Sequence, residues 1–178
     1  LAKKLNKKIK NLNQIKKIDI YTSHHTHYVI GTGANDPQKM DPNASRETLD
    51  HSIMYIFAVA LEDGSWHHVK SYTKARAKKK STIKIWRSIK THEDKKWTKK
   101  YHDPNPKKKS FGAEVIITLK NGKKVTEQQD RADAHPYGSR PFKRQNYINK
   151  FLTLTEKVLD KKESDRFLRT VQNLKKLK

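Results

Sequence analysis

Two stretches of this sequence carry side chains able to do chemistry. The first is Ser23-His24-His25-Thr26-His27, three imidazoles within four residues at the end of an apolar alternation. The second is Asp50-His51-Ser52-Ile53-Met54-Tyr55, at the head of the longest apolar run. Imidazole exchanges protons near neutral pH and, when charged, holds carboxylates. His51 and Tyr55 are four apart, so on an uninterrupted helix they share a face and become candidate acid–base or hydrogen-bonding partners. A helix cap followed by a hydrogen-bonded core histidine and tyrosine accounts for the same residues without chemistry. Closely spaced histidines also suit a metal ion, but no His-x3-His pair and no cysteine accompanies them. The expectation is therefore no metal at His24, His25 and His27, and a hydrogen-bonded histidine cluster beside an anion site.

These groups need elements to hold them. Asp41, Asn43 or Ser45 can cap a helix start, Glu47 suits its first turn, and Asp63-Gly64 closes it. From Ile53 to Leu61 nearly every position is apolar, which predicts a helix surrounded by protein. Leu1, Leu5, Ile9 and Leu12 form a helical stripe, and Ile15 to Ser23 then alternates as a strand. Gly31 to Met40 reads as a flexible connection whose Gly-x-Gly is too short for a nucleotide loop. A helix is expected from Ser81 to about Ile89 and a short one from Glu93 to Tyr101. Asn121-Gly122 between Glu114–Leu119 and Lys123–Gln128 is a strong hairpin signal. Arg131 to Pro141 is a loop with fixed turns that presents Arg140, followed by helices over 143–160 and 163–176. The fold class is α+β: a small mixed or antiparallel sheet including a hairpin, packed on helices and followed by C-terminal helices.

Composition sets limits. At 178 residues the chain suits ordinary domain size, yet only 33% of it is apolar. Part of the surface is thus expected to pack against something else, and the opening at Leu1 inside an apparent helix suggests a segment of a longer protein. The absence of cysteine excludes disulfides and fits a reducing compartment. No apolar run reaches the ~20 residues that cross a bilayer. A cytoplasmic protein without membrane contact is expected. The net charge of +23 invites a nucleic-acid or assembly module. Against it, lysine outnumbers arginine and is dispersed, and no zinc-finger spacing, RNP motif or phosphate loop occurs.

Longer motifs add a resemblance. Thr22-Ser-His-His-Thr-His-Tyr-Val-Ile30, Asn35-Asp-Pro-Gln-Lys39 and Asp41-Pro-x-Ala-Ser-Arg-Glu-Thr-Leu-Asp-His-Ser52 are similar to the MmgE/PrpD family. So are Tyr55-Ile-Phe-x-Val-Ala-Leu61, Trp66-His67-His68, Tyr101-His102 and His135-Pro-x-Gly-x-Arg-Pro141. The resemblance implies a hydro-lyase of the methylcitrate cycle in propionate catabolism, which removes water from 2-methylcitrate without an iron–sulfur cluster or other cofactor. It implies residues 1–142 as an α+β lid and 143–178 as helices returning to a separate all-helical domain, in a homodimer. Tyr55 matches a pocket-lining tyrosine of related cis-aconitate decarboxylases, and His51 lies one turn before it. The expected roles are Tyr55 and His51 in catalysis, with His24, His25, His27 and Arg140 holding a tricarboxylate. The family's other catalytic groups would lie outside this chain. A family relative acting on citrate or cis-aconitate is the alternative.

Overall fold

The computed structural model describes residues 1–176, which divide into one unit over residues 1–132 and a second from Asp133 onward. Residues 177 and 178, the end of the expected helical segment, lie outside the described residues. The first unit begins with α1 (Ala2–Lys8), and an Asn11-capped turn leads into β1 (Ile15–Thr22). Next come α2 (His24–Val29), α3 (Arg46–Asp50), α4 (Ile53–Asp63), α5 (Lys74–Ala77) and α6 (Lys80–Arg87). β2 (Ile89–Glu93), α7 (Lys95–Tyr101), β3 (Ala113–Leu119) and β4 (Lys124–Gln129) complete it.

The sheet runs β2-β1-β3-β4, with β1 and β2 parallel and the other pairs antiparallel. The expected α+β class with a mixed sheet is what forms. Ile18, Asp19 and Ile20 are all buried, as befits a central strand covered on both faces. The parallel pairing of β1 with β2 requires the long crossover through α2 to α6. The hairpin turns at Asn121-Gly122, where Gly122 has φ +83° and only glycine sits there without strain.

α4 is the buried rod. Met54, Tyr55 and Phe57 to Leu61 are buried, and the helix packs against α1 and α6. Gly64 ends it with φ +62°. The single helix expected to run from near Asp41, Asn43 or Ser45 to Asp63 is, however, two. Ser45 caps α3, and Ser52 starts a second helix by accepting a hydrogen bond from the Tyr55 N–H while its hydroxyl donates to the Lys39 carbonyl. His51 is thereby left outside α4, and the premise that it shares a helical face with Tyr55 fails. A second departure is β2. Ile89 belongs to this strand rather than to the preceding helix, and it pairs with Ile18.

The polar end of α4 is tied down by a partly buried ion cluster. Arg76 reaches Glu62 at 2.8 Å and Asp63 at 2.9 Å, while Lys79, Ser81 and Thr82 also meet Glu62. Burial alone would raise the Glu62 pKa. The hydrogen bonds from Ser81, Thr82, Lys79 and Arg76 outweigh it and hold the carboxyl at about 2.

The second unit contains α8 (Arg144–Thr155) and α9 (Lys161–Gln172), the latter capped by Asp160. The turn before them belongs to this unit: the Phe142 N–H donates to the Ala134 carbonyl, and its ring meets Tyr147 edge-on. Phe151 and Phe167 stack at 4.9 Å between the two helices. Among the described residues of this unit only Ser164 is buried, so it has scarcely any core of its own. No described helix is long and apolar enough to cross a membrane.

Candidate functional site

Two parallel strands end side by side at Thr22 and Glu93, and each leads at once into a helix. Ser23 caps α2 and Asp94 caps α7, their side chains accepting hydrogen bonds from Thr26 N–H and Lys96 N–H. The Asp94 N–H donates to the Thr22 carbonyl at 2.8 Å, and the His24 N–H to Thr98 Oγ1 at 2.8 Å. The histidines of α2 are therefore set against the side chains of β2.

His27 Nδ1 lies 2.7 Å from Thr91 Oγ1. Thr91 is in turn cross-linked to Thr32, whose N–H donates to Thr91 Oγ1 at 2.9 Å while Thr32 Oγ1 accepts from the Thr91 N–H at 3.0 Å. His24 Nδ1 donates to Glu93 Oε2 at 3.1 Å, and Thr98 Oγ1 donates to the other Glu93 oxygen. Thr91 and Glu93 are two apart on a strand and share one face; His92 points to the other. There it bonds Asp19 at 2.9 Å and stacks on Tyr21 at 4.9 Å.

The charges follow from these contacts. Burial, helped by the adjacent His92, pushes His27 below the ordinary histidine value, so its imidazole is predominantly neutral at pH 7. The hydrogen bond from His24 holds Glu93 below the usual carboxylate range. Burial would raise Asp19, but its bonds from Lys17 and His92 prevail and keep it low. The result is a neutral imidazole beside an ionised carboxylate and a second imidazole. Such a set can accept a proton, hold a substrate oxygen, or do both.

The Gly-x-Gly of residues 31–33 now has a physical role. A Cβ at Gly31 would stand 2.4 Å from Thr91 Oγ1, and one at Gly33 would stand 2.5 Å from His27 Nε2. The two glycines let the Gly31–Met40 connection close directly onto the His27–Thr91 pair. The connection is built of two short 3-10 turns, with Asn35 between them in the left-handed region at φ 51°.

The other expected site residues lie elsewhere. His25 is exposed and stacks on Tyr101 at 5.2 Å rather than joining His24 and His27 in the hydrogen-bonded set. His51 is exposed, its Nδ1 donating to the Glu47 carbonyl at 2.8 Å. Tyr55 is 0% exposed, and its hydroxyl donates to the Ser71 carbonyl at 2.5 Å. Burial pushes that hydroxyl up to about 12. Within this unit Tyr55 is a core hydrogen-bond donor, and among the described residues no hydrogen bond or ring contact joins it to His51. Arg140 belongs to the second unit, where it ion-pairs with Asp133 at 2.7 Å. Among the described residues no group of three or more His, Asp or Glu side chains is arranged to hold a metal ion.

Thr32, Gly33, Thr91 and Glu93 are the site residues that sequence reasoning missed. The signal for two of them was present: Ile89, Thr91 and Glu93 alternate with Lys90 and His92, with a β-branched residue at the centre.

The four-stranded mixed sheet, packed with helices, gives the chain an α+β fold. The family model for the MmgE/PrpD C-terminal domain matches residues 1–176. The chain belongs to the MmgE/PrpD family, whose members are generally lyases of the dehydratase kind.

Proposed function

We propose that this chain is the C-terminal part of a 2-methylcitrate dehydratase-like hydro-lyase, and that His27, with His24 and Glu93, is its contribution to the tricarboxylate site. The observation that supports this reading is the neutral, half-buried His27 held against Thr91 at the carboxyl end of the parallel strand pair. Removing water from a β-hydroxy acid requires a base at the carbon, a proton for the departing hydroxide and cations for the carboxylates. A neutral imidazole with one ring nitrogen engaged suits the first or second task. His24, when protonated, suits the third. The remaining groups would come from an all-helical domain on which residues 1–142 act as a lid and 143–178 as returning helices, in a cytoplasmic homodimer.

The test is turnover of 2-methylcitrate by the complete enzyme, followed by ultraviolet absorbance of the unsaturated product, with citrate run in parallel. His27→Gln is expected to lower kcat by about 10²-fold or more with little change in melting temperature. Unchanged kcat in that variant removes His27 from the reaction. Preference for citrate over 2-methylcitrate moves the assignment to a sister lyase of the same family.

A further inference from the structure

The hydrogen-bond network around Thr91 has more content than a simple anchor. Five short polar contacts meet at the Thr32–Thr91 pair. Two are backbone donors, Thr32 N–H to Thr91 Oγ1 at 2.9 Å and Thr91 N–H to Thr32 Oγ1 at 3.0 Å. The other three are Thr32 Oγ1 to the Thr91 carbonyl at 3.2 Å, Thr32 Oγ1 to Thr91 Oγ1 at 3.0 Å, and Thr91 Oγ1 to His27 Nδ1 at 2.7 Å. Each hydroxyl brings one proton and two acceptor lone pairs.

Only one assignment puts a proton in all five contacts. Thr32 Oγ1 donates to the Thr91 carbonyl, Thr91 Oγ1 donates to Thr32 Oγ1, and His27 Nδ1–H donates to Thr91 Oγ1. Both hydroxyl oxygens then accept two hydrogen bonds and give one, which saturates them. If Thr91 instead gave its proton to His27 Nδ1, four protons would serve five contacts, and either the 3.0 Å or the 3.2 Å approach would set two oxygens together with nothing between them. Contacts of that kind are unfavourable away from water.

We infer that Thr91, held by Thr32, is a positioning residue that fixes His27 in the Nδ1–H form, so that its unprotonated Nε2 is the ring atom offered to a ligand as proton acceptor. The packing of Gly33 agrees. The position of a Gly33 Cβ is 2.5, 2.7 and 2.8 Å from Nε2, Cδ2 and Cε1. Such similar distances to three consecutive ring atoms put it over the ring face rather than in the ring plane. The Gly33 backbone thus packs on one face of the imidazole and not along the in-plane lone-pair direction of Nε2. Tyr28 meets the ring edge-on at 4.5 Å, and Nε2 makes no hydrogen bond to any described residue. The charged and titratable groups around the ring are His24 on α2 and His92 and Glu93 on β2. A histidine whose outer nitrogen carries a lone pair takes protons from substrate. One whose outer nitrogen carries the proton would donate to substrate.

The inference deepens the proposed role of His27 and rests on that reading for its catalytic meaning, but the tautomer itself is measurable without any reaction. The experiment is long-range 1H–15N correlation of the histidine rings in the whole 178-residue chain at pH 8. Wild-type His27 is expected to show a protonated Nδ1 and an unprotonated Nε2. Thr91→Val removes the acceptor and should interchange the two nitrogen shifts, whereas Thr91→Ser, which keeps the hydroxyl, should leave the wild-type pattern. A wild-type His27 with its proton on Nε2 overturns the inference directly, whether or not either variant folds. So does a folded Thr91→Val chain with unchanged shifts. Absence of dehydratase activity in the complete enzyme would overturn the functional reading while leaving the tautomer assignment standing.

Discussion

Gly33→Ala is the sharpest structural perturbation of the site. Gly33 has no positive φ, so the substitution introduces no backbone strain and its whole effect is the added methyl group. That carbon would stand 2.5 Å from His27 Nε2, roughly 1 Å closer than van der Waals contact allows. The imidazole cannot retreat without lengthening its 2.7 Å bond to Thr91. Overpacking of this kind costs about 1–3 kcal/mol. In a chain of this size that corresponds to a fall in melting temperature of roughly 3–10 °C. Gly122→Ala is a useful comparison, since nothing lies within 4 Å of its Cβ position and only its φ of +83° opposes the change. That substitution should cost about 1 kcal/mol. Calorimetry of both variants, with the His27 ring signals followed by NMR, separates the cases. Gly33→Ala should move the His27 resonances and Gly122→Ala should not. A Gly33→Ala chain with wild-type melting and unmoved His27 signals refutes the packing of Gly33 on that ring.

Glu62 is held at about 2, well below an ordinary glutamate, so it stabilises the fold above pH ~4.5 and that contribution is lost as pH falls toward 2. Glu62→Gln should therefore cost about 3 kcal/mol at pH 7 in urea unfolding and flatten the acid limb of the stability profile, and an unchanged limb contradicts the assignment. Tyr55→Phe leaves the buried Ser71 carbonyl without its donor and should cost about 1–3 kcal/mol, while kcat of the folded complete enzyme stays near wild type. A large drop in kcat with unchanged melting would return Tyr55 to the reaction. The depressed His27 pKa means that the unfolded chain binds more protons just below the ordinary histidine value, so stability rises with pH through that window and falls as His27 is forced to protonate. His27→Gln should reduce that slope in melting curves between about pH 5 and 8, and parallel curves for variant and wild type would show that His27 is not buried neutral.

What the sequence made legible was mostly local. Asn121-Gly122 and Gly64 each specify a turn or helix end through their own conformational chemistry and occupy their expected positions, whereas Ser45, one of three residues expected to cap the rod, caps the short α3 instead. The apolar density of Ile53–Leu61 sufficed to predict a buried rod. What escaped depended on tertiary pairing. Ile85, Trp86 and Ile89 have helical spacing, so the five-residue strand starting at Ile89 looked like a helix end until its pairing with β1 was seen. The break before α4 was hidden because Ser52 is equally at home inside a helix and at its cap. Three imidazoles within four residues gave no hint that His27 alone would meet Thr91, since that depends on a residue 64 positions away. The partner of Tyr55 was hidden for a related reason: its hydroxyl donates to a backbone carbonyl, which no side-chain pattern announces.

His27 and its neighbours are proposed to form a carboxylate-binding site that presents an imidazole to the ligand. Titration of the isotopically labelled chain with 2-methylcitrate, read through its histidine and amide NMR signals, tests this most directly. Saturable shifts concentrated at His24, His27, Thr32, Thr91 and Glu93 are expected, together with their loss in the His27→Gln chain. Shifts spread evenly over the lysine-rich surface and weakening with added salt, or no shift at these five residues, would contradict it.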